Sequence, residues 1–403
     1  MAETINQPWL QHPPLQNLLT LLNEGEGEAR IAGGAVRNAL MNQSIADVDI
    51  ATTLLPSDVI ERLANAGLKS VPTGIDHGTI TAVVEGDAYE VTTLRADVET
   101  DGRHAKVLFG TDWEADARRR DLTMNALYLE ADGTVFDPLG NIEDVLAARV
   151  RFIDDPTQRI REDYLRILRF FRFFAWYGKF RPDADGLRAC AREKDGLESL
   201  SAERVWQELS KLLAAPDPVR AVLWMRQTGV LTKVLPEGEN WGIDGLHPLI
   251  ETEKERGWQS DAVLRLMAIL PPTEDRVSSA TKRLKLPNTV RDRLLAWAQL
   301  ELPSPKMKNP EFARFLYRTN DDQAVSDRLR LAIASGDNHS KKRCRQLKWL
   351  KRWERPALPV RGAHLLAAGM EPGPAISERL TKIEERWVES DFSLSAEQLL
   401  TEI

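Results

Sequence analysis

The sequence is short of the residues that staple small secreted folds together. Only Cys190 and Cys344 occur in 403 residues, far apart, which excludes a disulfide framework and a cysteine-based zinc cluster. No apolar run reaches the length that a bilayer span requires. The opening "MAETINQPWLQHPPLQ" lacks a basic segment followed by an apolar block, so neither a signal peptide nor a transit peptide is expected, and a cytoplasmic location follows. Fixed-period repeats and low-complexity tracts are missing too. So is an excess of positive charge: 54 Lys and Arg stand against 61 Asp and Glu, a net −7 and an isoelectric point of about 5.6. That balance argues against indiscriminate coating of nucleic acid, while leaving room for local basic clusters.

What is present reads as two kinds of chain. The length allows two to four units, each with its own core. From Ala29 to about Ile153 short strands and helices alternate. "ARIAGG" predicts a strand ending in glycines, "AVRNALM" a short helix, and "DVDIATT" a strand. "PSDVIERLANAG" predicts a helix with Pro at its start and Gly at its end. "GTITAVVEG" and "AYEVTTLR" predict a hairpin about Gly86-Asp87, and "TMNALYLEADGTVFDP" a second about Asp132-Gly133. Beyond Pro156 strand signals nearly vanish. "REDYLRILRFFRFFAWYG" predicts one strong helix closed by Gly178, and "SAERVWQELSKLLAA" another with a Ser-x-x-Arg start. The plan is a small α/β head on a partly antiparallel sheet, followed by a long helical body.

Within the head, Asp47 and Asp49 bracket one valine. In an extended strand both would share a face, about 7 Å apart, with Val48 and Ile50 turned to the core. Carboxylates that close repel unless a cation or shared proton intervenes. An exposed edge strand would also tolerate them. Glu90 on a later strand could complete a set holding two Mg²⁺ ions, one activating an attacking hydroxyl and one clamping leaving phosphates. Gly33-Gly34 at a strand-to-helix junction lets backbone N–H groups approach a phosphate, with Arg37 offering a fork one turn on; the same dipeptide also serves as simple turn chemistry.

The run Arg118, Arg119, Arg120, Asp121 reads either as a solvated helix face paired with Glu114 or Asp116, or, with Asn125, as a nucleotide site. In that site arginine meets phosphate or base edges and Asp and Asn meet ribose hydroxyls. On "REDYLRILRFFRF" a step of three sets Asp163 and Arg166 one turn apart and repeats at Arg169 and Arg172. A carboxylate beside a guanidinium complements an edge presenting an exocyclic amine next to an unprotonated ring nitrogen, which cytosine and adenine show and uracil and guanine do not.

These segments together resemble the class II tRNA nucleotidyltransferases, or CCA-adding enzymes, and the bacterial poly(A) polymerases, within the polymerase β-like superfamily. The resemblance lies in "GGAVRNAL" with "DVDIAT", then "RRDLTMNAL", "DPLGNIEDV" and "REDYLRILRFFRF", over roughly Arg30 to Gly178. It implies an α+β fold: a leader helix (1–28), a nucleotidyltransferase head with a small mixed sheet (29–153), then an all-α neck (154–215), body (216–300) and tail (301–403). By the resemblance Asp47 and Asp49 bind the catalytic metals, and Gly34 and Arg37 hold the triphosphate. Arg120 contacts the nucleotide, Asp163 and Arg166 read its base, and Arg169 and Arg172 support the pocket. The implied reaction is attack of a tRNA 3′-hydroxyl on the α-phosphate of CTP or ATP, releasing pyrophosphate.

Asn38, Leu122 and Asn141 depart from the family's usual Asp, Phe and Gly. "RADVETDGRHAKVLFGTDW" reads as a polar loop beside the site, and in the family a loop here helps the switch from C to A addition; His104 is read as a loop residue without catalytic role. No histidine precedes an aspartate, so an appended phosphohydrolase domain of the kind some relatives carry is not expected. In the helical part, "SKKRCRQLKWLKRWERP" offers Lys341, Lys342, Arg343, Arg345 and Lys348 interleaved with Trp349 and Trp353. It reads either as an RNA phosphate surface or as an amphipathic helix with its tryptophans in the core. The acidic isoelectric point and the lack of a basic C-terminal extension favour the tRNA enzyme over a poly(A) polymerase or a non-catalytic RNA-binding relative. The expected partners are the tRNA acceptor end, CTP and ATP, with no membrane and no obligatory protein partner.

Overall fold

The structure, a computed structural model, describes residues 3–97, 107–239 and 241–401. His104 and the centre of the polar loop lie outside these residues. Contacts divide the chain into two compact units, Met1–Val234 and Leu235–Ile403. Residues 216–234, expected with the body, therefore belong to the same unit as the neck.

In the first unit, helix α1 (Pro13–Leu22) buries Leu15, Leu18, Leu19 and Leu22. The head follows as β1 (Ala29–Ala32), α2 (Gly34–Leu40), β2 (Asp49–Thr52), α3 (Pro56–Asn65), β3 (Lys69–Gly74), β4 (Thr79–Val84) and β5 (Asp87–Thr93). Then come β6 (Arg95–Asp97), β7 (Val107–Phe109), α4 (Trp113–Arg118), β8 (Tyr128–Leu129), β9 (Val135–Phe136) and α5 (Ile142–Leu146). Seven strands form one sheet in the order β3-β4-β5-β2-β1-β8-β9, while β6 and β7 pair separately. Only the β2–β5 pairing in the large sheet is parallel. The fold is α+β with a mixed sheet.

Period-2 patterning drives the head. In β4, Ile80, Ala82 and Val84 are buried while the residues between them are not. The tight turn into β5 is Glu85-Gly86, both at positive φ (52° and 99°). It lies one residue earlier than the Gly86-Asp87 expected, because β5 already begins at Asp87. The strand β3 carries no alternating burial and gave no signal in the sequence. Core residues Ala32, Ala51, Trp113, Ala117 and Tyr128 fasten α4 to the sheet, with the Trp113 and Tyr128 rings edge-to-face at 4.9 Å.

The neck contains α6 (Pro156–Glu162), α7 (Leu165–Tyr177), α8 (Ala184–Glu193), α9 (Ala202–Leu213), α10 (Val219–Gln227) and α11 (Val230–Val234). Helix α7 buries Ile167, Leu168, Phe170, Phe171, Phe173 and Phe174, each worth about 1.5–3 kcal/mol of burial. Helix α9 starts at a Ser201 cap that accepts from the Arg204 N–H at 3.4 Å.

The second unit holds α12 (Leu246–Arg256), α13 (Ala262–Ala268), α14 (Glu274–Arg283), α15 (Asn288–Gln299), α16 (Asn309–Thr319), α17 (Asp322–Ala334), α18 (Ser340–Leu350), α19 (Gly362–Ala367), α20 (Pro374–Glu389) and α21 (Ala396–Leu400). No helix among the described residues is long and apolar enough to cross a membrane.

Candidate active site

The parallel register of β2 and β5 sets Asp49 beside Glu90, and residues paired this way project to the same face. Asp47 was expected inside that strand. It lies just before it, because the β1 partner of Asp49 is Ala32, and the chain then leaves the sheet at Gly33, so no β1 backbone remains to pair with Asp47. The Asp49 carboxyl is pushed above the usual carboxylate range by burial first, then by the negative charges of Glu90 and Asp47, with Arg120 pulling the other way. Among the described residues no three His, Cys, Asp or Glu side chains gather into a group able to hold a metal ion. The expected three-acid set is therefore not assembled as a ready-made group: Asp49 and Glu90 are paired across β2 and β5, and Asp47 precedes β2.

Facing the acids is an arginine wall built on a buried carboxylate. Asp112 caps α4 by accepting from the Glu114 and Ala115 N–H groups at 2.9 and 3.2 Å. One turn on, Asp116, only 1% exposed, accepts from Arg119 at 2.6 Å, from Arg120 at 3.0 Å and from the Tyr128 hydroxyl at 2.7 Å. Burial opposes its ionisation, yet Arg120 and Arg119 prevail and hold it below the ordinary range. Arg118 points outward to Glu114 and Asp154, as a solvated face would. Gly33, at φ 54°, makes room: a Cβ there would lie 3.1 Å from Arg120 Nη1 and 3.3 Å from the Asn125 carbonyl. Gly33, Gly34, Asp49, Glu90, Arg119 and Arg120 line a cavity of about 260 Å³.

A second cavity, of about 430 Å³, shares Gly33, Gly34, Arg119 and Arg120 and continues to Asp121, Asn125, Phe173, Arg169, Asp163, Arg166 and Arg204. Asp121 and Asn125 were expected to meet ribose hydroxyls. Their polar atoms are instead engaged within the protein: Asp121 accepts from Arg169 at 2.5 Å, from Asn125 at 3.1 Å and from the Leu122 N–H at 2.9 Å, and the Asn125 amide oxygen accepts from Arg37 at 2.5 Å. Burial works against the Asp121 charge, but Arg169 holds its pKa down. These two residues form the floor that aims Arg169.

The expected single helix over "REDYLRILRFFRF" is broken. Asp163 is extended (φ −154°, ψ 107°) and ends α6, and its Oδ1 accepts from the Leu165 N–H at 3.0 Å at the start of α7. An aspartate at this junction satisfies N–H groups that a continuous helix would leave no reason to expose. Asp163 and Arg166 nevertheless line the same cavity. Asp163 Oδ2 accepts from Arg204 at 2.7 Å. Arg166 donates to Glu162 at 2.6 Å and to the Arg159 and Arg119 carbonyls. Next to Asp163 in the chain, the Tyr164 ring packs so closely on Gly196 that a Cβ there would fall 2.1 Å from it.

Arg37 lines neither cavity. It is buried below Gly34, donates to Asn125, Asn38 and the Tyr177 hydroxyl, and sits 4.3 Å from the Tyr177 ring centroid. Burial lowers its pKa. The fork expected on phosphate thus joins α2 to α7. Arg172 likewise stands behind the cavity, paired with Glu208 at 2.6 Å. Arg119 and Asp116, read in the sequence only as a member of the arginine run and its possible acidic partner, complete the site together with Arg204, for which the Ser-x-x-Arg cap of α9 was the available signal.

In the second unit, Trp349 and Trp353 stack at 5.1 Å and pack on the core around Phe312 and Leu316, the amphipathic arrangement. Arg343, expected on RNA, is 5% exposed and tied to Asp337 at 2.5 Å. Lys341, Lys342, Arg345 and Lys348 remain exposed.

Residues 29–151 match the family model described as "Poly A polymerase head domain", and residues 179–241 that described as "Probable RNA and SrmB- binding site of polymerase A". The class is that of the nucleotidyltransferases. The "CCA tRNA nucleotidyltransferase 1, mitochondrial" of Mus musculus is 34% identical over 98% of this chain and 92% of its own. The "CCA-adding enzyme" of Geobacillus kaustophilus is 31% identical over 96% of each. The Bacillus stearothermophilus CCA-adding enzyme solved in complex with CTP superposes with a TM-score of 0.77 at 29% identity, over 96% of this chain and 94% of that one. The chain belongs to the CCA tRNA nucleotidyltransferase family.

Proposed function

We propose that the chain adds CCA to the 3′ end of tRNA from CTP and ATP without a nucleic-acid template, releasing pyrophosphate. The observation that carries this reading is the pair of joined cavities, one with acids facing arginine forks and the other with Asp163 and Arg166 at its rim. Relatives matched over nearly the whole chain are named for this activity. The poly(A) description comes from a head model that both activities share.

In this mechanism Arg119 and Arg120 bind the triphosphate with donors not spent on Asp116, and Gly33 and Gly34 keep the approach clear. Asp163 accepts from the exocyclic amine of cytosine or adenine and Arg166 donates to the adjacent ring nitrogen, so that uracil and guanine leave buried groups unpaired. Base binding then exchanges with the Arg204–Asp163 and Arg166–Glu162 pairs of the free site. Asp49, with Glu90 and Asp47, fits a divalent cation, since a positive ion answers both the burial and the like-charge repulsion that raise the Asp49 pKa; Mg²⁺ held there would supply Lewis-acid activation of the 3′-hydroxyl. Alignment for in-line attack and charge clamping account for the rate. Lys341, Lys342, Arg345 and Lys348 offer an exposed basic face to RNA phosphates. Two cysteines without a disulfide accord with a cytoplasmic location.

The test supplies purified protein with CTP and ATP and, in turn, a tRNA lacking CCA, a tRNA ending in CC, and an oligo(A) primer. Restoration of CCA followed by a stop is expected. Open-ended extension of oligo(A) would overturn the reading. Asp163→Ala and Arg166→Ala should admit UTP and GTP; unchanged selectivity in both would remove the template role.

A further inference from the structure

The second unit contains a cavity of about 320 Å³ lined by Trp241, Met267, Leu270, Trp297, Leu302 and Arg328, among others. Trp241 and Leu302 are large apolar side chains at its rim, 50% and 37% exposed. Gly245, at the start of α12, also lines it; a Cβ there would lie 2.9 Å from the Ala268 carbonyl, so this close approach of backbone needs glycine. The volume is at the small end of the range for sites that take organic molecules.

Two buried donors on residues lining this cavity find no acceptor among the described residues. Trp297 is 2% exposed, and its buried Nε1–H is unpaired, as is the buried Nε–H of Arg328. Both belong to one cluster, for the Arg328 guanidinium lies 5.3 Å from the Trp297 ring centroid, while its Nη2 donates to the Ala298 carbonyl at 3.1 Å. Among the described residues no carboxylate lies in ion-pair range of Arg328. The neighbouring Asp327 is committed to Arg293, at 2.7 Å. Several other arginines of this unit are answered by acids: Arg293 by Asp261 and Asp327, Arg265 by Glu253, Arg283 by Glu237, Arg343 by Asp337; the half-buried Arg330 lies over the Trp258 ring instead. Burial alone, with no acid opposing it, pulls the Arg328 pKa down.

We propose that this cavity is a binding site for a small aromatic monocarboxylate, whose ring occupies the space between Trp241, Met267 and Leu270 and whose carboxylate accepts from Arg328 Nε–H and Trp297 Nε1–H. A water molecule would meet the donors and leave the positive charge unanswered. A phosphate ester carries more charge than one guanidinium among apolar walls can balance. A monocarboxylate with a flat apolar body satisfies donors, charge and walls together.

The experiment titrates 2-naphthoate, and separately its neutral counterpart 2-naphthamide, into the full chain with ¹⁵N-labelled tryptophan, following indole N–H resonances. For a ligand of about 13 non-hydrogen atoms a Kd of about 0.1–1 mM is expected, with the shifting resonances including one that disappears in Trp297→Phe. The amide should bind at least about tenfold more weakly, and Arg328→Met should lower naphthoate affinity by a similar factor, since both remove the charge-assisted bond. The amide comparison needs no variant, so misfolding of a mutant cannot mimic the result. Equal binding of acid and amide, or no indole shift at about 5 mM naphthoate, several times the expected Kd, would overturn the proposal.

Discussion

The two units use the same partnership, arginine with carboxylate, to opposite ends. In the first unit the acid sits behind and the cation in front: Asp116 is sealed under Arg119 and Arg120, and Asp121 under Arg169, so each guanidinium is aimed into a cavity. In the second unit the pairs close on themselves. Arg265 and Glu253 are each 3% exposed, and Arg293 lies between Asp261 and Asp327, joining helices with nothing left to offer a ligand. A buried ion pair is therefore not by itself a mark of function; what counts is which partner is left at the surface.

The sharpest way to break this comparison is at the acids that have no arginine behind them. Asp49→Ala should reduce nucleotide transfer on the order of 10³-fold or more while leaving the melting temperature unchanged or slightly raised, since it removes a charge repelled by Glu90 and Asp47. Near-normal turnover in this variant would end the metal assignment. Next in size, Asp116→Asn and Glu253→Gln should each cost about 3 kcal/mol in denaturant melts, the penalty of stranding a buried charge. Only Asp116→Asn should also raise the nucleotide KM. Equal effects on KM would erase the distinction between the units.

A pH titration sharpens the contrast within the first unit. Asp49 is raised, so its ionised form, the one the proposed cation requires, is lost as pH falls through a value above the ordinary Asp figure of 3.8. Asp116 and Asp121 are lowered, so the stability they contribute is present above 3.8 and is lost only as pH falls through their smaller folded values. In the interval above 3.8, calorimetry should show divalent-cation affinity declining while circular dichroism reports an intact fold. Coincident loss of both would contradict the assignment. The smallest effect belongs to the basic helix: Lys341→Ala or Lys348→Ala should reduce the salt slope of tRNA binding by about 1 each, and an unchanged slope would take these residues off the RNA surface.

Much of the head was legible because its signals are local. Alternation marked β4 and β5, positive-φ glycines marked the turns, and the Asp-x-Asp motif lay at the mouth of β2. What escaped depends on distant partners. The start of β2 at Asp49 is set by where β1 leaves the sheet, and no pattern in "ADVDI" records that. Arg37 looks like a phosphate fork until α7 brings Tyr177 over it. Asp163 continues a helical period, but the backbone there turns extended and the carboxylate caps the next helix. Arg343 shares a basic run with the exposed Lys341, Lys342, Arg345 and Lys348 and differs from them in meeting Asp337 and the Pro303 carbonyl. That Asp163 and Arg166 line one cavity accords with their spacing of three, even though the single helix expected to carry them is broken at Asp163.

The stacking of Tyr164 on Gly196 carries a consequence of its own. Residue 196 lines neither cavity, yet any side chain there must displace the ring of Tyr164, the residue next to Asp163 at the start of α7. With Asp163 and Arg166 reading the base as proposed, Gly196→Ala should alter the choice of nucleotide from a position that never meets it, and misincorporation by that variant would register the effect.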